Sequence, residues 1–143
     1  MRLGLARARS RAERAVTFPA GDLTLAARSP EYYNDHVTAG IPPEALRLKQ
    51  RLEARFGARL RWARVFGSYA RGEATEDSDL DVAAVIDGLT RAEKIEAIGD
   101  AAELSWIGAV KLSPLLFESQ DFALLREREA RLARDIESEG IEL

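Results

Sequence analysis

Gly67 and Ser68 are followed, after ten intervening residues, by Asp79 and then Asp81, so one stretch of chain carries two kinds of chemistry. Phosphates are held by backbone N–H groups at close range. A glycine followed by a small hydroxyl residue exposes such groups where a strand turns into a helix, beside the positive end of the helix dipole. Divalent cations such as Mg²⁺ take oxygen ligands in a fixed geometry. Asp79 and Asp81 lie two apart at the start of a predicted strand, so both carboxylates point to one face. The segment therefore offers an anion cradle at Gly67 and Ser68 beside a cation site at Asp79 and Asp81.

Competing readings of the same residues fail on spacing. A calcium loop starting at Asp77 needs glycine at its sixth position and glutamate at its twelfth, and this chain has Val82 and Gly88 there. A P-loop needs lysine and a hydroxyl residue after its second glycine, whereas Gly72 is followed by Glu73 and Ala74. Arg71 has two readings that stay open: it reaches phosphate, or it pins the loop by pairing with Glu73 or Glu76. Tyr69 stacks against a bound ligand or, more commonly for an aromatic on a helix face, joins the core.

The elements that must position these residues follow from periodicity. Pro42-Pro43-Glu44 opens a helix with Ala45, Leu48, Leu52 and Phe56 on one face, and Gly57 stops it. Leu60 to Phe66 is a strand running into Gly67, and a short helix is expected from about Ser68 and Tyr69. A polar loop from Gly72 to Ser78 leads into a second strand, Leu80 to Ile86. Thr90 caps a helix from Arg91 to about Trp106, with Ile95, Ile98 and Ala102 expected as its buried stripe. Ala109 to Phe117 is a third strand with Pro114 marking an edge or bulge. Helix then resumes at Ser119 and continues to Gly140.

Composition narrows the function classes. At 143 residues and 15.8 kDa the chain is most simply one folded domain. A net charge of −3 and a pI near 5.3 provide no global attraction for nucleic acid, so a polynucleotide partner is disfavoured. The absence of cysteine excludes thiol catalysis, disulfides and Cys-based zinc sites, and the single histidine, His36, cannot build a zinc cluster. No apolar run approaches a membrane span or a secretory core, and a cytoplasmic location is expected. Residues 1–40 are the least legible part: Arg2, Arg7, Arg9, Arg11 and Arg14 crowd a segment relieved only by Glu13.

The run Val65-Phe66-Gly67-Ser68-Tyr69-Ala70-Arg71-Gly72, continued by Ser78-Asp79-Leu80-Asp81-Val82, resembles the signature of the nucleotidyltransferase superfamily, in particular its minimal single-domain branch. The resemblance implies an α+β fold of the polymerase-β palm type, a short mixed sheet flanked by helices, over residues 41–143, with 1–40 as an extension outside it. It also implies that Gly67, Ser68 and Arg71 bind the phosphates of ATP or another nucleoside triphosphate, and that Asp79 and Asp81 are catalytic and hold Mg²⁺. The implied reaction moves a nucleoside monophosphate, AMP from ATP, onto a hydroxyl of a protein or small molecule. Bacterial proteins similar to this one are often antitoxins of two-protein systems, which implies a helical toxin-like partner. Active relatives usually supply a third carboxylate from the next strand, and here Lys111 stands at that position. The resemblance therefore also admits a fold that binds nucleotide or a partner without catalysing transfer.

Overall fold

The computed structural model describes residues 40–143; the arginine cluster and His36 lie outside the described residues. Helix α1 spans Pro43–Phe56 with proline in its first turn, where a missing N–H costs nothing, and buries Ala45, Leu48, Leu52 and Phe56. A single 3-10 turn, Gly57–Arg59, delivers the chain into β1, Leu60–Phe66. Strand β2 is Leu80–Ile86, α2 is Arg91–Ile107, and β3 is Leu112–Glu118. Helices α3, Ser119–Glu127, and α4, Arg131–Glu139, precede a two-residue strand β4, Ile141–Glu142.

The sheet has strand order β3-β2-β1-β4, with β1 antiparallel to β2 and to β4, and β2 parallel to β3. Alternation along each strand divides the side chains between two apolar layers. Leu80, Val82, Ala84 and Ile86 of β2 pack with Ala63, Val65, Leu112 and Leu116 beneath α1 and α2. Ala83 and Val85, on the opposite face, pack with Phe66 beneath Phe122, Ala133 and Ile136 of α3 and α4. A strand covered on both sides must be apolar almost throughout, which explains the unbroken run Val82 to Ile86. Asp79 and Asp81 share the parity of Ala83 and Val85. They extend the α3/α4 face at the end where β2 begins.

Outside the Gly67 turn, three local expectations differ from the fold. First, α2 buries Ala97, Ala101 and Leu104, not Ile95, Ile98 and Ala102; Ile95 is 60% exposed and Ile98 41%. Both stripes have helical spacing, and the smaller residues face inward because they let α2 lie close to α1 and the sheet. Second, residues 119–140 form two helices. Glu129 takes a left-handed backbone (φ 51°) between them, and the break returns α4 to the sheet so that Phe122 and Ile136 cover the same face. Third, the third strand begins at Leu112 rather than Ala109, which leaves Lys111 just ahead of it. Pro114 sits in an edge strand, where its missing N–H is tolerated.

The α1–α2 packing is bordered by ion pairs. Arg55 reaches Asp100 (2.7 Å) and Arg51 reaches Glu103 (2.7 Å). Arg59 binds Glu93 at 2.8 Å, and Glu93 also closes a capping box with Thr90 at the start of α2. Its hydrogen bonds from Arg59, and then those from Thr90, hold the Glu93 carboxyl down at about 2. No helix among the described residues is long and apolar enough to cross a membrane.

The reversed polarity of α2 is testable. Ile95→Lys should change stability by less than about 0.5 kcal/mol, while Leu104→Ala should cost about 2–5 kcal/mol because it leaves a cavity in the core. Urea denaturation of both variants checks the assignment.

Candidate active site

Register determines which residues meet at the end of the sheet. Phe66 is the Cα partner of Asp81, so the chain leaves β1 through Gly67 directly alongside the second aspartate. Gly67 has a left-handed backbone (φ 72°), and a Cβ built on it would fall 2.6 Å from Asp81 Oδ2. Only glycine accommodates both the conformation and the approach. The turn therefore presses its backbone against the carboxylate with no side chain between them.

Gly67 to Gly72 do not form the expected short helix. They form consecutive hydrogen-bonded turns, closed by Arg71 N–H to Gly67 O (3.1 Å), Gly72 N–H to Tyr69 O (3.2 Å) and Glu73 N–H to Ser68 O (2.8 Å). Any anion held here would be held by turn amides and the Ser68 hydroxyl, without the dipole of a helix. Tyr69 packs against the α1/α2 layer, the commoner of its two readings. The Arg71 guanidinium pairs with Glu73 (2.8 Å) and with Glu139 at the end of α4 (2.9 Å), so it ties the turn to the opposite end of the chain. Glu139 has no counterpart in the sequence reading, because nothing in the local pattern brings α4 to this loop.

The loop from 73 to 79 is closed on itself by Thr75 N–H to Ser78 Oγ (2.8 Å) and Ser78 N–H to Thr75 O (3.1 Å). This delivers Asp79 to the mouth of the site. On the other side, the parallel register pairs Leu80 with Leu112 and Asp81 with Ser113. One pleat earlier, Lys111 stands beside Asp79, and its ammonium lies 3.2 Å from Asp79 Oδ2. Burial raises the pKa of Asp81 most, and the Asp79 charge adds to this; a hydrogen bond from Ser113 and the Arg71 charge oppose it. A cation beside Asp81 would relieve that cost.

Two carboxylates on one face supply the hard oxygen donors that a divalent cation takes, so Asp79 and Asp81 fit one such ion. Among the described residues no group of three or more acidic or histidine side chains is assembled to hold a metal. Facing the pair are Ser113 of β3 and, just ahead of that strand, Lys111.

The family model of the nucleotidyltransferase domain matches residues 46–141, which include the turn, both aspartates and Lys111. The chain belongs to the nucleotidyltransferase domain family. No curated protein matches it significantly. Among solved structures, a toxin–antitoxin complex with AMP-PNP is similar at 21% identity and TM-score 0.47, over 67% of this chain and 69% of that one. A mutant of the toxin–antitoxin MntA-HpeT is similar at 23% identity and TM-score 0.43, over 68% of this chain and 70% of that one. A candidate nucleotidyltransferase from Sulfolobus solfataricus is similar at 16% identity and TM-score 0.43, over 78% of this chain and 82% of that one. With TM-scores this low, the family assignment rests on the sequence match.

The contact at Gly67 yields a prediction. Gly67→Ala should destabilise the protein by about 1–3 kcal/mol, through the left-handed backbone and the collision with Asp81. Gly72→Ala should cost less, because a Cβ there meets nothing within 4 Å. Paired denaturation curves separate the two.

Proposed function

We propose that this nucleotidyltransferase-family protein transfers AMP from ATP to a hydroxyl group on a protein or small molecule, with Mg²⁺ held by Asp79 and Asp81. The observation that supports the reading is the packing of the Gly67-Ser68 turn against the Asp81 carboxylate, an arrangement in which backbone N–H groups could take phosphate beside an oxygen that could take a metal. Turn amides and the Ser68 hydroxyl would hold the β- and γ-phosphates. Arg71 would support the turn through Glu73 and Glu139, and its charge would lie near the same phosphates.

In the reaction the acceptor oxygen forms a bond to the α-phosphorus as the bond to pyrophosphate breaks, and the hydroxyl proton passes to a base on the acceptor. Asp79 and Asp81 would hold Mg²⁺, which would supply neutralisation of the charge that develops in the transfer. The turn amides and the Ser68 hydroxyl would orient the triphosphate, and the two carboxylates would act on it only through the cation they hold. The toxin–antitoxin arrangement implied by the resemblance would provide a protein acceptor, with a helical partner presenting the hydroxyl.

The Lys111–Asp79 contact favours a second reading, a nucleotide-binding or partner-binding protein that no longer catalyses transfer. Incubation with labelled ATP and the partner protein distinguishes them: label on the partner supports transfer, and bound nucleotide without label supports the second reading.

Two predictions test the shared part of both readings. Ser68→Ala should weaken ATP binding by about 1.5–3 kcal/mol in titration calorimetry, the value of one hydrogen bond to a charged group. Asp81→Asn should abolish any Mg²⁺-dependent rise in melting temperature while leaving the metal-free protein as stable or more so. The sign follows from the raised pKa of Asp81: at neutral pH its charge opposes folding, and the amide removes that charge.

A further inference from the structure

We infer that the Lys111 ammonium is a built-in cation of this site, standing in for a metal ion and contacting the nucleotide's phosphates directly. The inference rests on the nucleotide-binding reading above and goes beyond it, because it assigns the charge balance of the site to a residue of the chain.

Four observations converge on Lys111. Its side chain has the parity of Ser113, and the Asp81–Ser113 register places it on the carboxylate face beside Asp79. Its ammonium already contacts Asp79 Oδ2 at 3.2 Å, so a divalent ion and the lysine would compete for that oxygen. Its backbone is fixed on both sides. The Lys111 carbonyl accepts from Leu80 N–H (2.8 Å), and Leu112 N–H donates to Ser105 Oγ (2.8 Å). Further back, Ala109 N–H donates to Oε1 of the fully buried Glu44 (2.9 Å), and Gly108 packs so closely that a Cβ would fall 2.8 Å from Glu44 Cγ.

The fourth observation is that the far end of the side chain is solvent-exposed where its base is fixed. The Lys111 side chain is 72% exposed and that of Asp79 44%. An exposed ion pair of this kind contributes little to stability, so the packing that fixes the backbone of residues 108–112 is not explained by the strength of the pair. An ammonium on an anchored stem can turn from Asp79 to a phosphate without moving the backbone. As a compact point charge with three donors it suits the crowded oxygens of a triphosphate. With the lysine supplying one positive charge, the site needs at most one divalent ion, which Asp81 would hold with Asp79 once the ammonium moves to the phosphates.

The test is ATP affinity of the full-length protein in Mg²⁺ and in excess chelator, for wild type, Lys111→Met and Lys111→Arg. The wild type should keep measurable ATP binding in chelator. Lys111→Met should lose roughly tenfold or more of that metal-free affinity, the effect of one charge-assisted hydrogen bond, while still binding ATP in Mg²⁺. Lys111→Arg should restore most of the metal-free binding, which a purely structural role for the lysine would not lead to. If wild type and Lys111→Met depend on Mg²⁺ equally, the lysine is not a surrogate cation and the inference is overturned, with the nucleotide reading intact. If no form binds ATP under either condition, the nucleotide reading itself fails and takes the inference with it.

Discussion

The absence of a side chain at Gly67 is the constraint on which the site depends. Two antiparallel strands bring their ends together wherever register puts them, but here the register sets the exit of β1 against a carboxylate of β2. Any larger residue at 67 would push the turn from the acid or turn the acid from the turn. The close approach therefore couples two chemistries that sequence alone shows only as neighbours. It also explains the placement of the rest: β2 must be the interior strand, because Asp81 needs β1 on one side for the turn and β3 on the other for Ser113 and Lys111.

That interior position determines how the site is shielded. Beyond Asp81, the face occupied by Ala83 and Val85 disappears beneath α3 and α4, with Trp62 set edge-on to Phe122 at 5.0 Å and Phe117 beside it. The acids lie where this cover ends, which gives Asp81 a half-buried environment and Asp79 a more open one. Arg71 bridges that margin to Glu139, so the end of α4 bears directly on the Gly67 turn. The break at Glu129 has a role in this arrangement. A helix running straight from 119 to 139 would be about 30 Å long and would leave the sheet, taking Glu139 away from Arg71.

Legibility in the sequence followed how local each determinant is. Leu60–Phe66 and Leu80–Ile86 emerge from their apolar runs and neighbouring turn residues, as does α1 from its prolines and periodic leucines. That the glycine turn and the aspartates come together was legible from their spacing between two strands. The buried face of α2 was not, because both of its faces are apolar and the choice between them depends on which neighbour needs a close approach. The strand at Ile141–Glu142 has no periodicity to detect; it exists because Arg64 and Val65 leave an open edge beside it. The partnership of Arg71 with Glu139 depends on the same long-range return. Lys111 could be placed opposite the acids only by aligning β3 to β2, and the parallel register supports that alignment to within one pleat.

The two aspartates, identical in type and adjacent in parity, are set in different surroundings, and this difference decides what each can do. Asp81 is pressed by Gly67 and Phe66, receives a hydrogen bond from Ser113, and carries the cost of burial in its raised pKa. It gains most from an incoming cation. Asp79 stands further into solvent with a lysine already beside it. Replacing that lysine contact with a metal would gain less, because the charge is partly compensated beforehand and screened by water. On the proposed metal-binding reading, cation affinity in this pair would be asymmetric, with Asp81 the stronger candidate ligand and Asp79 shared with the chain's own ammonium. The asymmetry arises from burial and from one residue on the neighbouring strand. It would not exist if β3 presented a carboxylate there, because three converging acids would leave both aspartates dependent on metal.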